Sequence, residues 1–553
     1  MANPVLERSA QMFPELTADQ IERISSIGRR RDVRSGEVLF EVGEQNTRFF
    51  VVLSGAIEIV RPSGDGETQV TIHRPGGFTG EINMLSARRS LVTGRAAGDA
   101  SVVALDRDDL RTLVQRDSEL SEIFMRAFIL RRVALMAEEG QDLILLGSRH
   151  SGSTQTIREF LTRNAQPFSY HDVEADPDVQ ALLDRFGVGV DEVPVLVCQG
   201  GHVFRNPSIE KLAAGLGLSA DLDADSVRDV VVVGAGPAGL AAAVYGASEG
   251  LDVLVLESTA PGGQAGTSSR IENYLGFPTG ISGQALAGRA LTQAEKFGAQ
   301  VSIGRPVVRL DCDARPYRVH LSDGQVIRTR AIVIASGVRY RKLDIPSLPR
   351  YEGAGVYYCA TYLEGQLCKG EEVVVVGGGN SAGQAAVFLA GVASHVHILV
   401  RGPGLSESMS RYLIQRIESN PKVTLHTRCK IESLDGEHGL ERLSWRRVDT
   451  GERELKDIRS VFLMTGADPN TAWLEGCLIL DDKRFVKTGA DLLPEDLAVA
   501  RWTLARRPHL METSIPGVFC VGDARSSSVK RVASAVGEGS ICIQLVHRAL
   551  QEL

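Results

Sequence analysis

The sequence lacks the features that would indicate a secreted, membrane-spanning or broadly nucleic-acid-binding protein. Its N-terminus has no basic segment followed by an apolar one, so nothing indicates secretion. Asp and Glu number 69 against 61 Lys and Arg, and the net charge of −8 argues against nucleic-acid or anionic-membrane partners. The uncharged runs 230–247 and 373–394 are interrupted by glycines after four valines. That pattern predicts a buried strand, a turn and a helix rather than a membrane span.

Cysteine is sparse and scattered. The eight cysteines include no Cys-x-x-Cys pair and no spacing typical of metal ligands. We therefore expect no structural metal site and no disulfide framework, and a cytoplasmic location.

The chain is long, and its overall composition is ordinary. Its 553 residues exceed what one hydrophobic core supports, so three or four domains are expected. The apolar fraction of 43% and the charged fraction of 24% are typical of a globular protein, which excludes a mostly disordered chain.

Short apolar runs alternate with glycine-containing turns between residues 32 and 105. This pattern predicts a small β-roll, and helical patterns flank it at residues 17–27 and 110–138.

Segments 35–60 and 80–96 resemble the cyclic-nucleotide-binding domain family. The resemblance implies that Gly80 lets backbone N–H groups approach the cyclic phosphate and that Glu81 accepts from the ribose hydroxyl. Arg89, with Arg88 as its rival, would pair with the phosphate. The alternative is a roll kept for packing or dimerisation.

Residues 142–218 follow the order β-α-β-α-β-β-α and resemble a thioredoxin or glutaredoxin domain. In that family a Cys-x-x-Cys lies where the first strand enters its helix. Here residues 151–154 are Ser-Gly-Ser-Thr, while Val193-Pro194 matches the family's cis-proline site. Hydroxyl groups form no disulfide, so we expect a redox-silent adaptor domain.

The strongest motif is strand, Gly234-x-Gly236-x-x-Gly239, helix, and a second strand ending at Glu257. The first glycine makes the turn, the second admits a pyrophosphate, and the third permits close packing of helix on strand. The helix N-terminus faces the phosphates, and Glu257 can accept from a ribose hydroxyl. This predicts a dinucleotide-binding Rossmann domain.

A second copy reads Gly377-x-Gly379-x-x-Ala382, and the strand after its helix ends at Arg401 instead of an acid. Without a carboxylate for the 2′-hydroxyl, and with an arginine nearby, a 2′-phosphate is favoured. The second motif therefore predicts NADPH rather than NADH.

Two dinucleotide folds in one chain imply two dinucleotides, of which the usual pair is FAD and a nicotinamide. Four further segments resemble the low-molecular-weight thioredoxin reductase family, at residues 262–278, 332–346, 464–471 and 515–539. The resemblance implies FAD in the first fold and NADPH in the second. Gln264 and Asn273 would line the flavin, and Gly522 and Asp523 would bind its ribityl and phosphate end.

The sequence departs from this family at its redox pair. Members with thioredoxin activity carry Cys-x-x-Cys just before the second glycine motif, where this chain has Cys359 and Tyr362. A helix over 359–368 would separate Cys359 from Cys368 by about 13 Å, whereas a disulfide needs roughly 4.4–6.8 Å. Cys359 stays a candidate catalytic residue, acting through a mixed disulfide or a sulfenic acid, against the alternative that it is unreactive.

The sequence thus predicts a multidomain α/β protein. The domains are a cyclic-nucleotide-binding-like β-roll (1–140), a redox-silent thioredoxin-like α/β domain (141–220), a discontinuous Rossmann-like FAD domain (226–348 and 469–553) and a Rossmann-like NADPH domain (349–468). The resemblance also implies a homodimer.

Three functions fit these predictions. The first is an NADPH-dependent FAD oxidoreductase regulated by a cyclic nucleotide. The second is a reductase whose electron acceptor is a ferredoxin- or flavodoxin-like carrier or a quinone, since such transfer needs no dithiol. The third is a non-catalytic nucleotide and redox sensor. The intact glycine motifs and Asp523 favour an enzyme over a sensor.

Overall fold

A computed structural model describes most of the chain, and it does so for residues 11–44, 47–63, 66–80, 84, 90, 92–137, 143–149, 151–174, 192–198, 202–220, 222–223, 225–268, 271, 273–358, 360, 362–437 and 439–552. The fold is a mixed α/β arrangement of several units, with an N-terminal β-rich unit and two Rossmann-like units. None of the described helices combines the length and the apolar character that a membrane crossing needs.

The N-terminal unit is a roll of two antiparallel sheets. Its elements are α1 (Ala18–Ser25), β1 (Arg29–Val33), β2 (Val38–Phe40), β3 (Phe49–Ser54), β4 (Ile57–Ser63), β5 (Gly66–His73), β6 (Thr93–Ala96), β7 (Ala100–Leu105), α2 (Arg107–Arg116) and α3 (Ser118–Ala137). The strand orders are β1-β7-β3 and β2-β6-β4-β5. Phe49, Phe78, Phe124 and Phe128 pack together between the roll and α3.

The helix predicted over residues 110–138 is two helices, and the reason is Asp117. Its backbone is extended (φ −112°, ψ 104°), and its carboxylate accepts the N–H of Leu120 at 3.0 Å, so it caps the second helix. The same carboxylate pairs with Arg23 of α1 at 2.5 Å. An aspartate that caps a helix and binds a neighbouring cation stabilises a break that the apolar periodicity does not reveal.

The middle unit, residues 143–220, is a small four-stranded sheet with helices. Its elements are β8 (Leu143–Gly147), α4 (Gly152–Arg163), β9 (Ser169–Asp172), β10 (Val195–Cys198), β11 (Val203–Arg205) and α5 (Ile209–Gly215). The strand order is β11-β10-β8-β9. Ser151 caps α4 by accepting the N–H of Thr154, and the Val193–Pro194 peptide is cis, as predicted. The helix predicted within 175–191 lies outside the described residues.

The first Rossmann-like unit begins with β12 (Val227–Val233), α6 (Pro237–Ser248), β13 (Val253–Glu257), α7 (Gly263–Gly266), α8 (Gly283–Phe297), β14 (Gln300–Ile303), β15 (Val307–Asp311), β16 (Tyr317–Leu321) and β17 (Val326–Ile334). Strand β12 lies between β13 and β17, parallel to both. Val227 at its start is exposed, whereas the four valines of 230–233 are buried on both faces, as expected of a central parallel strand.

The second Rossmann-like unit is inserted after β17. Its elements, with the strands that lead into and out of it, are β18 (Val338–Tyr340), α9 (Leu348–Tyr351), β19 (Val356–Tyr357), α10 (Tyr362–Leu367), β20 (Glu372–Val376), α11 (Asn380–Leu389), β21 (His395–Val400), α12 (Arg411–Glu418), β22 (Val423–Thr427), β23 (Cys429–Asp435), β24 (Arg442–Arg447), β25 (Arg453–Lys456), β26 (Ser460–Leu463) and β27 (Ala467–Pro469). The main sheet has the order β19-β26-β20-β21-β22.

The chain then returns to the first Rossmann-like unit. Strands β18 and β27 pair antiparallel, so they form a double connection between the two units. The remaining helices and strand are α13 (Pro494–Val499), β28 (Val518–Cys520) and α14 (Val532–Glu552). Strand β28 pairs in parallel with β17, and α14 packs on α6. Residues from before and after the insertion therefore pack together in the hydrophobic core of the first Rossmann-like unit.

The structure contains one disulfide among the described residues, where the sequence led us to expect no disulfide framework. Cys312, just after β15, is bonded to Cys477, which lies beyond the return from the inserted unit and 165 residues away in sequence. The pair joins two segments of the first Rossmann-like unit that the insertion separates, and both residues pack against the same core.

Candidate functional site

Both glycine motifs line one cleft of about 1300 Å³. The predicted cofactor residues that line it are Gly234, Gly236, Glu257, Gln264, Asn273, Gly377, Gly379, Arg401, Gly522 and Asp523. Two predicted residues, Gly239 and Ala382, are buried behind it instead. Residues spread over 290 positions in sequence thus meet in one site because the inserted unit folds back onto the first.

The first motif has the local geometry of a phosphate cradle. Gly234 has φ +105°, and a Cβ there would lie 2.4 Å from the carbonyl oxygen of Ala335. A Cβ on Gly239 would lie 1.9 Å from the Gly234 carbonyl oxygen, so this glycine permits the helix to approach the strand. A Cβ on Gly236 would meet no atom closer than 3.9 Å. Only Gly236 therefore faces open space, where a pyrophosphate would lie.

The helix that follows leaves its first N–H groups available. Helix α6 begins at Pro237 after the N-cap Gly236, and the described side chains provide no cap. Uncapped N–H groups at a helix N-terminus carry partial positive charge and favour an anion.

Glu257 is buried and holds the backbone around the cleft. Its Oε2 accepts the N–H of Ala235 at 2.8 Å, and its Oε1 accepts the N–H groups of Thr259 and Ala260 at 2.9 and 3.3 Å. A carboxylate oxygen accepts about two hydrogen bonds. Oε2 therefore keeps capacity for a ribose hydroxyl, which fits the predicted role.

The second motif repeats this geometry. Gly377 has φ +141°, and a Cβ there would lie 2.2 Å from the carbonyl oxygen of Met464. A Cβ on Gly379 would meet nothing closer than 3.9 Å, so this glycine also faces open space. Ala382 packs in the core beneath α11. Arg401 is exposed where it lines the cleft, and the carboxylate of Glu407 lines the same side.

Gln264 joins the cleft wall to the double connection. Its Nε2 donates to the carbonyl oxygen of Val338, the first residue of β18, at 3.1 Å. Its Oε1 is buried and, among the described residues, has no hydrogen-bond partner. A buried acceptor without a donor is costly, and a cofactor N–H would satisfy it.

The turn at Gly522 and Asp523 is held by charged neighbours. Glu538 accepts the N–H of Gly522 at 2.6 Å and pairs with Arg525 at 2.6 Å. Lys530 donates to the backbone oxygen of Asp523 at 2.6 Å. Burial raises the pKa of Asp523 and lowers the pKa of Lys530, so each ionised group is partly desolvated at the cleft wall.

Tyr362, where the resemblance leads us to expect a second cysteine, is an exposed aromatic residue. Cys359 lies outside the described residues, while Tyr362 opens α10 with 73% of its surface exposed. Cys368 is buried just after that helix, and burial raises the pKa of its thiol to about 11. A thiol of that pKa carries little thiolate at neutral pH and is a poor nucleophile.

The predicted cyclic-nucleotide residues are only partly described. Gly80 has φ +104°, and its carbonyl oxygen accepts from Arg131 of α3 at 2.8 Å. Glu81, Arg88 and Arg89 lie outside the described residues.

Sequence reasoning missed several cleft residues. Ser408 lines the cleft and donates to the carbonyl oxygen of Gly378 at 2.9 Å. Lys530 also lines the cleft, and the resemblance of segment 515–539 could have indicated it. Arg163 reaches the cleft from the middle unit, and no motif in its helix signals this.

Comparisons with known proteins agree with this geometry. Residues 228–539 match the family model described as "Pyridine nucleotide-disulphide oxidoreductase", and residues 30–117 match "Cyclic nucleotide-binding domain". A thioredoxin reductase of Bacillus subtilis is 32% identical over 330 residues, which cover 60% of this chain and 96% of that protein.

Solved structures give the same result. The Lactococcus lactis thioredoxin reductase in its FR conformation has a TM-score of 0.53 and 29% identity, covering 59% of this chain and 100% of that one. The T. acidophilum thioredoxin reductase has a TM-score of 0.51 and 27% identity, covering 58% of this chain and 98% of that one.

Residues 228–539, which match the family model, are more than half of the chain. The chain therefore belongs to the pyridine nucleotide-disulphide oxidoreductases, and it is an NADPH-dependent flavin oxidoreductase of the thioredoxin reductase family, whose members use FAD and NADPH.

Proposed function

We propose that this chain passes electrons from NADPH through FAD to an acceptor that is not reached through a dithiol at residues 359–362, and that a cyclic nucleotide regulates the transfer. The single observation that carries the proposal is that both glycine motifs open into one cleft. When bound, NADPH supplies a hydride and FAD accepts it. The protein's own contribution is binding and orientation.

Each dinucleotide has a matching set of groups. Gly236, the N-terminus of α6 and Glu257 suit the pyrophosphate and ribose of FAD, and Gln264 offers the flavin an unsatisfied acceptor. Gly379 and Arg401 suit the pyrophosphate and 2′-phosphate of NADPH. This supports assigning the FAD domain to 226–348 and 469–553, and the NADPH domain to 349–468.

The absence of a second cysteine limits which electron acceptors the chain can reduce. A tyrosine at position 362 cannot close a disulfide with Cys359, and the high pKa of Cys368 makes that thiol a poor substitute. The absence of a second cysteine at position 362 favours the second candidate function, transfer to an electron-carrier protein or a quinone, because such acceptors take electrons without a protein dithiol.

The two N-terminal units complete the proposal. The family match over residues 30–117 and the positive φ of Gly80 support a cyclic-nucleotide-binding domain in 1–140. The order of β8 to α5 supports a thioredoxin-like domain in 141–220, which Ser151 and Thr154 leave without redox chemistry. Regulation requires that the nucleotide bind two arrangements of the reductase with different affinity.

The test is an anaerobic titration of the full chain with NADPH and, separately, NADH, following the flavin absorbance. Rapid bleaching by NADPH is expected, with much slower bleaching by NADH. A yellow protein that never bleaches, or one that takes up no FAD, would contradict the proposal and favour a non-catalytic sensor.

The acceptor is tested on the same preparation. NADPH oxidation is measured with oxidised thioredoxin, with a soluble quinone and with ferredoxin, with and without cyclic AMP or cyclic GMP. We expect turnover with a quinone or ferredoxin and little with thioredoxin. Turnover with thioredoxin that Cys359→Ser abolishes would show that a single sulfur is sufficient.

A further inference from the structure

The middle unit sends one side chain into the flavin side of the cleft. Arg163 is the last residue of α4 and lines the cleft together with Glu257 and Gly263. Its Nη2 donates to the carbonyl oxygen of Gly263 at 3.0 Å and to that of Ala260 at 3.4 Å. Its Nη1 pairs with Glu159 at 3.2 Å, and the side chain is 16% exposed. A guanidinium from a separate unit is therefore fixed at the cleft wall.

The carbonyls that it binds belong to the loop 259–263, which Glu257 holds from the other side. Glu257 accepts the first two N–H groups of this loop, at 2.9 and 3.3 Å. From the middle unit, Arg163 donates to two of its carbonyls, and Asn164 donates to the carbonyl of Thr259 at 3.1 Å. The loop's donors and acceptors are thus bound by partners from two units, which fixes its position.

This loop forms the wall beside the phosphate cradle. Gly263 has φ +52°, and a Cβ there would lie 3.0 Å from the Cα of Gly236. Gly236 is the glycine of the first motif that faces open space. A shift of the loop away from Arg163 and Asn164, which bind its carbonyls, would therefore change the width of the space in which a pyrophosphate would lie.

The guanidinium of Arg163 also has a hydrogen-bond donor and a charge that its protein partners do not fully satisfy. Within the described part of the chain, Nε of Arg163 is buried and has no hydrogen-bond partner. Its ion-pair partner Glu159 is 44% exposed, and such a pair is screened by solvent. The charge of Arg163 is therefore only partly compensated where it lines the cleft, and a dianionic pyrophosphate would be attracted to it.

We propose that Arg163 is a positioning residue of the FAD site, so that the redox-silent middle unit completes the binding of the flavin dinucleotide. This inference rests on the proposed function, because it takes FAD to occupy this side of the cleft. It gives the middle unit a role that needs none of the cysteines missing from residues 151–154.

The experiment compares three substitutions in the full chain. Arg163→Met removes the charge and all donors at similar length. Arg163→Lys keeps the charge but has a single nitrogen in place of the Nη2 that binds both carbonyls and the Nη1 that pairs with Glu159. Gln284→Ala is the matched control, because Gln284 donates to the carbonyl of Thr162 at 2.7 Å across the same interface but does not line the cleft. FAD is removed with a chaotropic salt, and the apoproteins are titrated with FAD while its fluorescence is followed.

We expect Arg163→Met to raise the Kd for FAD about tenfold to a hundredfold, the range of a lost charge-assisted contact, with Arg163→Lys in between. Gln284→Ala should stay within about twofold of the wild type. The Tm of the apoprotein and the Kd for NADP⁺, measured by calorimetry, should be the same in all variants. A purely structural role would lower the apoprotein Tm and leave the FAD affinity of the folded fraction unchanged.

Two results would overturn the inference. One is a Kd for FAD within about twofold of the wild type in Arg163→Met, or in Arg163→Lys should the methionine variant not fold. The other is an equal loss in Gln284→Ala, which would assign the effect to docking in general. Failure of the wild type to bind FAD would overturn the proposed function as well, and is therefore distinguishable from both.

Discussion

Arg401 is the positively charged residue that follows from the second glycine motif, and it is exposed in the cleft directly after β21. An arginine pairs with a phosphate through strong charge-assisted hydrogen bonds. We expect Arg401→Ala to raise the Kd for NADPH about tenfold to a hundredfold and to leave the Kd for NADH nearly unchanged. Binding is measured by calorimetry on the FAD-free protein, in which bound NADPH has no flavin to reduce.

Arg411 provides the matched control for this substitution. It is exposed at the start of α12 but is absent from the described residues that line the cleft. Arg411→Ala should therefore bind both nucleotides like the wild type. Equal weakening of NADPH and NADH binding in Arg401→Ala would contradict the assignment of Arg401 to the 2′-phosphate.

A second prediction at the residue scale concerns acid stability. His73 is buried beside the Arg131 guanidinium, and burial followed by that charge lowers its pKa to about 3. The unfolded chain has the ordinary value near 6.5, so the unfolded state binds a proton that the folded state refuses. This contribution to stability is complete above about pH 6.5 and is lost as the pH falls towards 3.

Between pH 7 and pH 5 the N-terminal unit should lose about 2 kcal/mol of stability through this one group. His73→Asn removes the titration, so its loss over the same range should be smaller by that amount. Native-state hydrogen exchange of β3 peptides, corrected for intrinsic rates, measures both. An unchanged pH dependence in His73→Asn would contradict the burial of a neutral imidazole.

At the scale of the element, the first strand–turn–helix separates the glycines needed for folding from the one needed for binding. Gly239→Ala would place a Cβ 1.9 Å from the Gly234 carbonyl oxygen, so the helix must move and the unit should be destabilised by several kcal/mol. Gly236→Ala meets no atom closer than 3.9 Å, at a φ of −69° that alanine adopts readily.

The expected outcome is that Gly236→Ala folds with a wild-type apoprotein Tm but binds FAD at least tenfold more weakly, because its methyl group occupies the pyrophosphate space. Gly239→Ala should lower the Tm before any ligand is added. Thermal melting of the apoproteins and FAD titration separate the two effects. Wild-type FAD affinity in Gly236→Ala would mean that the pyrophosphate lies elsewhere.

These elements also show what the sequence could predict. The strand, turn and helix of each glycine motif are local, so spacing and residue type were sufficient to identify them. The Cys312–Cys477 disulfide joins residues 165 positions apart, and spacing carries no information on such a pair. The break at Asp117 depends on a cap and on an ion pair with a distant helix.

The cleft itself was predicted only where its residues belong to motifs. Gln264, Asn273 and Asp523 lie in segments that resemble a known family, so their place in the cleft was expected before the fold was known. Arg163 belongs to a different unit and reaches the cleft because α4 ends there. A contact between two units depends on how they dock, which neither hydrophobic periodicity nor a motif specifies.

At the scale of the whole molecule, the N-terminal unit contacts the first Rossmann-like unit through α2 and α8. Arg111 donates to the carbonyl oxygen of Glu295 at 3.3 Å, and Gln115 donates to that of Lys296 at 3.4 Å. Burial, and secondarily Arg107, lowers the pKa of Arg111, as expected for a guanidinium enclosed by an interface. Helix α8 packs against α6, the helix that begins at the phosphate cradle. Packed side chains thus join the N-terminal unit, through α8, to α6 at the first glycine motif, and this is the route that a test of coupling should address.

If the cyclic nucleotide acts along this route, breaking the contact should separate binding from regulation. We expect Arg111→Ala to bind the nucleotide like the wild type while losing its effect on the rate of flavin reduction by NADPH, measured by stopped flow. Arg116→Ala changes an exposed arginine later in the same helix and should stay regulated. Full regulation in Arg111→Ala would contradict coupling through this contact.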